Sequence, residues 1–315
     1  MDRDLLGFLP VVASVARYRS FAAAAAALDM SASAVSHAVK AAEDRLGEPL
    51  FARTTRSVAL TEAGAAFVAT VSAALEDIGA AVEGMNAARG ELSGVLRINA
   101  PRVATSMALA PVLAVLARRH PRLVVEVRTE DALVDIVAAG FDAGVRLGES
   151  IAQDMVTVRL TPPFEAVLVA APSYLQARGE PAAIADLAAH DCIGFRLLAS
   201  GSLYEWELAG DDGRTIAVRT TGSAVITDAT FARDLALAGV GIAYIFEPLV
   251  RADLAAGRLR QLLPHTALRE EGLFLYFPRR AAMAPKLRAF IDAARELLEA
   301  AAPACAQAAR PAGMR

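Results

Sequence analysis

The chain has 315 residues, 55% of them hydrophobic and 21% charged, with a formal net charge of −3. That is enough apolar material for more than one core and predicts a soluble globular protein of two or three domains, while the near-neutral balance excludes a bulk polycation, so any nucleic-acid surface has to come from local placement. The longest apolar runs, such as FAAAAAAL at residues 21–28, fall far short of the roughly 20 residues that span a bilayer, and no charged leader opens the chain, so no membrane association and a cytoplasmic location are expected.

A proline is tolerated in a first helical turn, where its missing N–H has no partner to lose, so LPVVASVARY reads as a helix starting near Pro10. Ser20 is placed to cap the next helix, SFAAAAAALDM, in which Phe21, Ala24, Ala25 and Leu28 form one stripe. DMSAS breaks the pattern, and a third helix is expected from about Ser33 to Leu46, stopped by Gly47. There Val35, Val39, Ala42 and Leu46 share a buried face, and Ser33, Ser36, His37, Lys40 and Asp44 fall on the other. Two short helices joined by a tight turn, the second with a small, polar and cationic leading half, suit a helix-turn-helix that enters a major groove. The helix pattern alone leaves a three-helix core with a solvated face equally open.

After Pro49, LFARTTRSVALTEAG sets Leu50 and Phe51, then Val58 and Leu60, around a polar tip of Arg53, Thr54, Thr55, Arg56 and Ser57. This reads as a β-hairpin wing whose hydroxyl and guanidinium groups suit phosphate oxygens and a narrow minor groove. Residues 20–64 as a whole resemble the winged helix-turn-helix of the LysR-type transcriptional regulators. The Ala-rich helix, the Ser-x-x-Ala-Val-Ser start, the Leu-Gly-x-x-Leu-Phe turn, the Arg-Thr wing and the Leu-Thr-x-Ala-Gly exit all stand in register. The chain departs from the family at Ala32 and Ser33, where members often carry Gln-Pro. The resemblance implies that Ser33, Ser36, His37 and Lys40 lie in the DNA groove and that Arg53, Thr54 and Arg56 contact DNA from the wing.

One long helix is expected from Glu62 to about Ala88, with Phe67, Val71, Leu75, Ile78, Val82 and Met85 recurring near the period of about 3.5 residues that marks a coiled-coil seam. Such a seam needs a partner, either a second copy or the chain's own C-terminal half. LysR-type proteins pair through this helix, so the resemblance implies a homodimer or homotetramer. ARGELSG closes the segment.

Strands then alternate with helices. GVLRINA, helix TSMALAPVLAVLARRH, PRLVVEVRTED, helix LVDIVAAG and FDAGVRLGE form a βαβαβ order, which predicts a parallel sheet with ligands at the carboxyl ends of its strands. A second set follows: FEAVLVAAP, helix SYLQARG, CIGF, YEWELAG, RTIAVRTTGSAVIT, helix ATFARDLALAG, VGIAYIF and helix EPLVRADLAAG. The chain returns through strand GLFLYFP and helix APKLRAFIDAARELLEA, which suggests two α/β lobes with a cleft between them. This half resembles the effector-binding domain of the same family, similar in turn to type 2 periplasmic binding proteins. The reading is therefore α/β in class: an all-α winged helix-turn-helix over residues 1–64, a linker and dimerisation helix over 65–91, a two-lobed domain over 92–302 (lobe 1 about 92–161 and 268–302, lobe 2 about 162–267) and a flexible tail over 303–315.

Six residues are candidates for an effector. Thr105, Ser106 and Thr227 sit near expected helix N-termini, where free N–H groups and the helix dipole hold carboxylates, and Arg102, Asp131 and Arg146 lie at strand ends facing the expected crevice. Asp131 reads more readily as a helix cap before ALVDIV, and Arg146 equally as half of an internal ion pair; Trp206 reads as core and His120 as a helix-end residue. Cys192 and Cys305 form no metal or redox motif, the four histidines are scattered, and no HExxH, GxSxG or phosphate-loop pattern is present. No cofactor, no metal and no enzymatic activity are expected. The resemblance implies a regulator that binds double-stranded DNA, responds to a small anionic effector and can touch RNA polymerase. The competing reading is a solute-binding receptor whose N-terminal helices serve assembly alone.

Overall fold

The computed structural model describes residues 3–53, 58–87, 92–148, 151, 155–210, 212–279, 281 and 284–308. The chain separates into two compact units, Met1–Leu92 with Ala138–Gly140, and Ser93–Val137 with Phe141–Arg315.

In the first unit, helices α1 (Arg3–Tyr18), α2 (Phe21–Leu28) and α3 (Ala32–Leu46) pack around Val12, Val15, Ala24, Val35, Val39 and Ala42. Helix α1 begins well before Pro10, which therefore lies in its interior and not in its first turn. The ring costs the Leu6 carbonyl its helical donor, and Leu6 is exposed, where water can replace it. Ser20 caps α2 as expected, its Oγ accepting the Ala23 N–H at 3.2 Å. Helix α3 starts earlier than expected because Ser31 is the cap, accepting the Ala34 N–H at 3.1 Å. Gly47 ends α3 at φ 73°, a left-handed conformation that side chains with a Cβ resist.

Strands β1 (Phe51–Arg53) and β2 (Val58–Leu60) pair antiparallel, Phe51 opposite Leu60 and Arg53 opposite Val58. The expected wing tip, with Thr54 and Arg56, lies outside the described residues. Helix α4 (Glu62–Ala87) follows at once. Thr61 donates its hydroxyl to the Pro49 carbonyl at 2.7 Å and accepts the Gly64 N–H at 2.9 Å, which starts α4 against the base of the wing. Gly64 is needed there because a Cβ would overlap the Leu50 carbonyl.

The second unit opens with β3 (Ser93–Ala100), a short helix α5 (Arg102–Ala104), a π-turn over Thr105–Leu109 and helix α6 (Ala110–Arg119). The π-turn has a local cause: Pro111 cannot donate to the carbonyl four residues back, and the backbone widens so that Ala110 N–H bonds Thr105 O instead. Strands β4 (Arg122–Thr129) and β5 (Ala143–Leu147) flank β3 in parallel. The helix expected over LVDIVAAG is not formed; the segment is irregular and then turns, with Gly140 at φ 74° and Ile136 buried. Three β-branched residues in so short a stretch disfavour a helix.

Strand β6 (Met155–Arg159) leaves the first lobe for the second, where β7 (Phe164–Ala170) is the central strand. Helix α7 (Pro172–Arg178), strands β8 (Gly194–Phe195), β9 (Trp206–Ala209), β10 (Thr215–Val218) and β11 (Val225–Ile226), helix α8 (Ala229–Leu237), strand β12 (Ala243–Phe246), helix α9 (Glu247–Ala255) and strands β13 (Arg260–Leu262) and β14 (Leu268–Glu270) complete it. The alternation of β7 divides the core: Val167 and Val169 join one cluster with Ile245 and Val250, Leu168 and Ala170 the other with Trp206 and Leu208. The stretch RTIAVRTTGSAVIT is two strands and not one.

Strand β15 (Leu273–Pro278) and helix α10 (Pro285–Ala308) return to the first lobe. Its sheet has the order β4-β3-β5-β15-β6, and β15 runs antiparallel to β5 and β6, so the sheet is mixed where a parallel one was expected. The reason is topological: a strand coming back from the neighbouring lobe runs opposite to the one that leaves. In the second lobe β12, β13 and β14 all pair antiparallel with β7. The two crossings are tied together where the Leu273 N–H donates to Thr161 Oγ1 at 2.9 Å. Helix α10 continues past Pro303, where a loose tail was expected, and residues 309–315 lie outside the described residues.

Candidate functional site

Two sites follow from these elements, one in each unit. The first is the outer face of α3. Val35, Ala38, Val39 and Ala42 are buried, which turns Ser33, His37, Lys40 and Asp44 outward and leaves Ser36 half-buried. Ser33 Oγ lies 3.0 Å from the capping Ser31 Oγ. The Lys40 ammonium is exposed and makes no ion pair or hydrogen bond with another described residue.

Arg53 ends β1, placing the start of the wing tip after α3, although its side chain is outside the described set. Position in the wing is set by a residue the sequence reading passed over. Glu43, on the half-buried side of α3, accepts the N–H groups of Leu50 and Phe51 at 2.9 and 3.1 Å. One carboxylate thus binds the recognition-type helix to the first wing strand.

The second site is a cleft of about 510 Å³ between the two lobes of the second unit. Its walls are mostly apolar, from Pro101 and Leu133 on one side to Phe195, Trp206 and Phe246 on the other. Of the six expected effector residues, Asp131 and Arg146 line it; Arg102, Thr105, Ser106 and Thr227 do not. Thr105 turns its hydroxyl back on the Arg102 carbonyl at 2.6 Å, and Ser106 and Thr227 are exposed elsewhere.

Arg102 has a different task. Its Nε lies 3.8 Å from Asp131 Oδ2 and its Nη1 3.5 Å from Asp228 Oδ2, the side chain that caps α8. A cation of the first lobe therefore bridges to a carboxylate of the second beside the cleft. Asp131 is no cap of a following helix; it accepts the Arg102 N–H at 3.0 Å.

Arg146 on β5 is 5% exposed. Nη1 donates to the Val145 carbonyl at 2.8 Å, and Nη2 donates to Asn99 Oδ1 at 2.9 Å and the Ala132 carbonyl at 2.7 Å. Its Nε and the Asn99 Nδ2 have no hydrogen-bond partner among the described residues. The internal ion pair that is the alternative reading of Arg146 is not made among the described residues. Burial pulls the Arg146 pKa down from its ordinary value, with Tyr276, Asp131 and Glu130 opposing it.

Trp206, read as core, is 1% exposed and also lines the cleft. It stacks on Tyr244 at 5.8 Å between centroids, and Tyr204 stacks on the same ring at 6.4 Å. Burial pushes the Tyr244 hydroxyl well above its ordinary pKa, and it donates to the Glu207 carbonyl at 2.8 Å. Neither Asn99, the partner of Arg146, nor this aromatic row carried a sequence signal, since which distant side chains meet is set by how the segments pair and not by their local pattern. His120 caps the end of α6, as expected.

A helix-turn-helix with a β-wing, joined by a long helix to a two-lobed α/β domain, is the layout of a DNA-binding transcriptional regulator. Comparison with known proteins gives its family. The model described as bacterial regulatory helix-turn-helix protein, lysR family, matches residues 6–65, and that described as LysR substrate binding domain matches residues 89–299. The HTH-type transcriptional regulator YcaN of Escherichia coli (strain K12) is 38% identical over 279 residues, 89% of this chain and 91% of YcaN. PgrR of the same organism is 32% identical over 292 residues, 93% of this chain and 97% of PgrR. The structure of CrgA, a LysR-type transcriptional regulator from Neisseria meningitidis, superposes with a TM-score of 0.59 at 29% identity, covering 92% of this chain and 98% of CrgA. The chain belongs to the LysR family of transcriptional regulators, and these relatives are regulators, not enzymes. No helix among the described residues is long and apolar enough to cross a membrane.

Proposed function

We propose that this regulator acts in the cytoplasm as a homodimer or a dimer of dimers, reading a pseudo-palindromic operator with α3 and its wing and taking a small anionic effector into the interlobe cleft. The observation that carries the DNA reading is the outer face of α3, where Ser33, His37 and Lys40 are exposed opposite a closed apolar core. Ser36 and His37 meet base edges, Lys40 meets phosphate, and Arg53, Thr54 and Arg56 hold the backbone beside the groove. Phe67, Val71, Leu75, Ile78, Val82 and Met85 of α4 supply the pairing seam, setting two copies of α3 about one DNA turn (~34 Å) apart.

In the cleft, Asp131 and Arg146 are the two expected residues that the effector meets, while Arg102 serves the border of the lobes and Thr105, Ser106 and Thr227 stand outside the lining. The effector changes transcription only through unequal affinity for two arrangements of the assembly, and contact with RNA polymerase is one readout of that difference.

The test is a footprint and a salt titration on the DNA upstream of the protein's own gene. Lys40→Ala is expected to weaken binding to all sequences and to flatten the slope of log K against log salt by about 0.9, one phosphate contact. Ser36→Ala and His37→Ala are expected to change sequence preference instead. Equal binding to the upstream DNA and to random duplex, or an unchanged slope for Lys40→Ala, would sink this reading.

A further inference from the structure

Arg146 poses a physical problem that the folded chain leaves unsolved. A guanidinium stays charged in proteins, so a buried one keeps its full charge and needs compensation. The acceptors of its hydrogen bonds are all neutral: the main-chain carbonyls of Val145, Ala132 and Glu130 and the Asn99 amide. Among the described residues no carboxylate lies within ion-pair distance and Nε finds no hydrogen-bond partner. Asp131, an acid of the same cleft, is already engaged by Arg102 through its backbone N–H at 3.0 Å and its Nε at 3.8 Å. A buried guanidinium with no ion-pair partner among the described residues therefore lines a largely apolar cavity.

The opposite wall is aromatic. Tyr204 and Trp206 both stack on Tyr244, with interplanar angles of 21° and 27°, and Phe195 and Phe246 extend that surface. Flat rings and apolar side chains recognise a flat or bulky apolar body. Asp131, Glu207 and Glu270 also line the cleft, so a second negative charge on the ligand would meet carboxylates where the first meets Arg146.

We infer that the cleft takes a monocarboxylate carried on an aromatic body, its carboxylate on the Arg146 guanidinium and its ring against the Tyr204, Tyr244 and Trp206 row. The inference rests on reading the cleft as the effector site and specifies what that site selects. It favours a monoanion over a dianion, and an acid over its neutral amide or an amine of the same shape.

Trp206 is the only tryptophan of the chain and lines the cleft, so its fluorescence reports occupancy directly. The experiment titrates the full-length protein with 3-phenylpropionate, its primary amide, 3-phenylpropylamine, phenylsuccinate and propionate. The acid is expected to bind at least tenfold tighter than each of the others. In Arg146→Met the acid is expected to lose that advantage while the affinity for the amide stays put, with circular dichroism melts checking that the variant folds. The wild-type comparison stands without the variant. If the amide or the amine moves Trp206 as readily as the acid does, the carboxylate assignment is overturned and the cleft survives as a binding site. If calorimetry shows the acid binding while Trp206 fluorescence and Arg146→Met leave it unaffected, the site lies elsewhere and the reading of the cleft itself fails. Binding by no member of the panel overturns the assigned class.

Discussion

Asp253 illustrates how much a single buried charge can hold in this protein. Its side chain is fully buried at the end of α9, where Arg233 Nε meets Oδ2 at 2.6 Å and Arg258 Nη2 meets Oδ1 at 2.6 Å. Hydrogen bonding from Arg233, opposed by burial and aided by Arg258, holds the carboxyl below its ordinary pKa. Its folded pKa is depressed, so its contribution is present above the unfolded value of about 3.9 and lost as pH falls through the folded one. Asp253→Asn is expected to cost about 3 kcal/mol at neutral pH, the low end for a broken buried pair because both guanidinium groups keep access to water. Melting curves from pH 7 down to about pH 3 check this. The gap between wild type and variant should narrow below about pH 4, and a gap independent of pH would refute the role of the charge. Cys192 shows the opposite case: burial pushes its thiol up to about 11, which keeps it an unreactive core residue.

Elements are held to one another by a few polar ties, and the wing depends on one of them. Without Glu43, the Leu50 and Phe51 N–H groups at the base of β1 lose their acceptor, at a cost of about 1–3 kcal/mol for buried donors left unpaired. Glu43→Ala is expected to speed amide hydrogen exchange at Leu50 and Phe51 and to weaken DNA binding through the wing, whereas Glu43→Gln, which keeps an acceptor oxygen, should retain most of both. Unchanged exchange in Glu43→Ala would show that the wing is held by its apolar contacts alone. Sequence periodicity resolved the helices here because their apolar faces repeat. It placed α3 correctly by face and missed its start, since Ser31 and Ser33 are both plausible caps and only backbone geometry chooses between them. The helix misread over LVDIVAAG has the same origin: a short apolar stretch fits either period.

At the scale of the whole molecule, α4 carries an unmet demand. Ile78, Val82 and Met85 are 62%, 54% and 65% exposed, while Phe67, at the other end of the seam, packs on the core of the first unit. The apolar row is thus divided between folding and assembly. Replacing Ile78 and Val82 together by glutamate is expected to convert the assembly to monomer at micromolar concentration and to lower affinity for a pseudo-palindrome more than tenfold. Each half-site would then be bound alone. Sedimentation velocity checks the first outcome and a gel shift the second; a double variant that still sediments as the wild type does would move the interface off this helix. In the second unit, the paired crossings at Thr161 and Leu273 and the Arg102 bridge to Asp228 are the links that any relative movement of the lobes has to strain.

Local order was determined by the sequence alone: three short helices with their apolar faces, the hairpin, the long seam helix and the alternation of strands and helices beyond it, because each rests on interactions within a few turns or one strand length. The register that sets Arg146 against Asn99 and brings Arg146 and the aromatic row to one cleft was decided by the tertiary structure. So were the antiparallel return of β15 between β5 and β6 and the removal of Thr105, Ser106 and Thr227 from the cleft lining. These depend on which distant segments pair and cross between lobes, and side-chain periodicity carries no information about that choice.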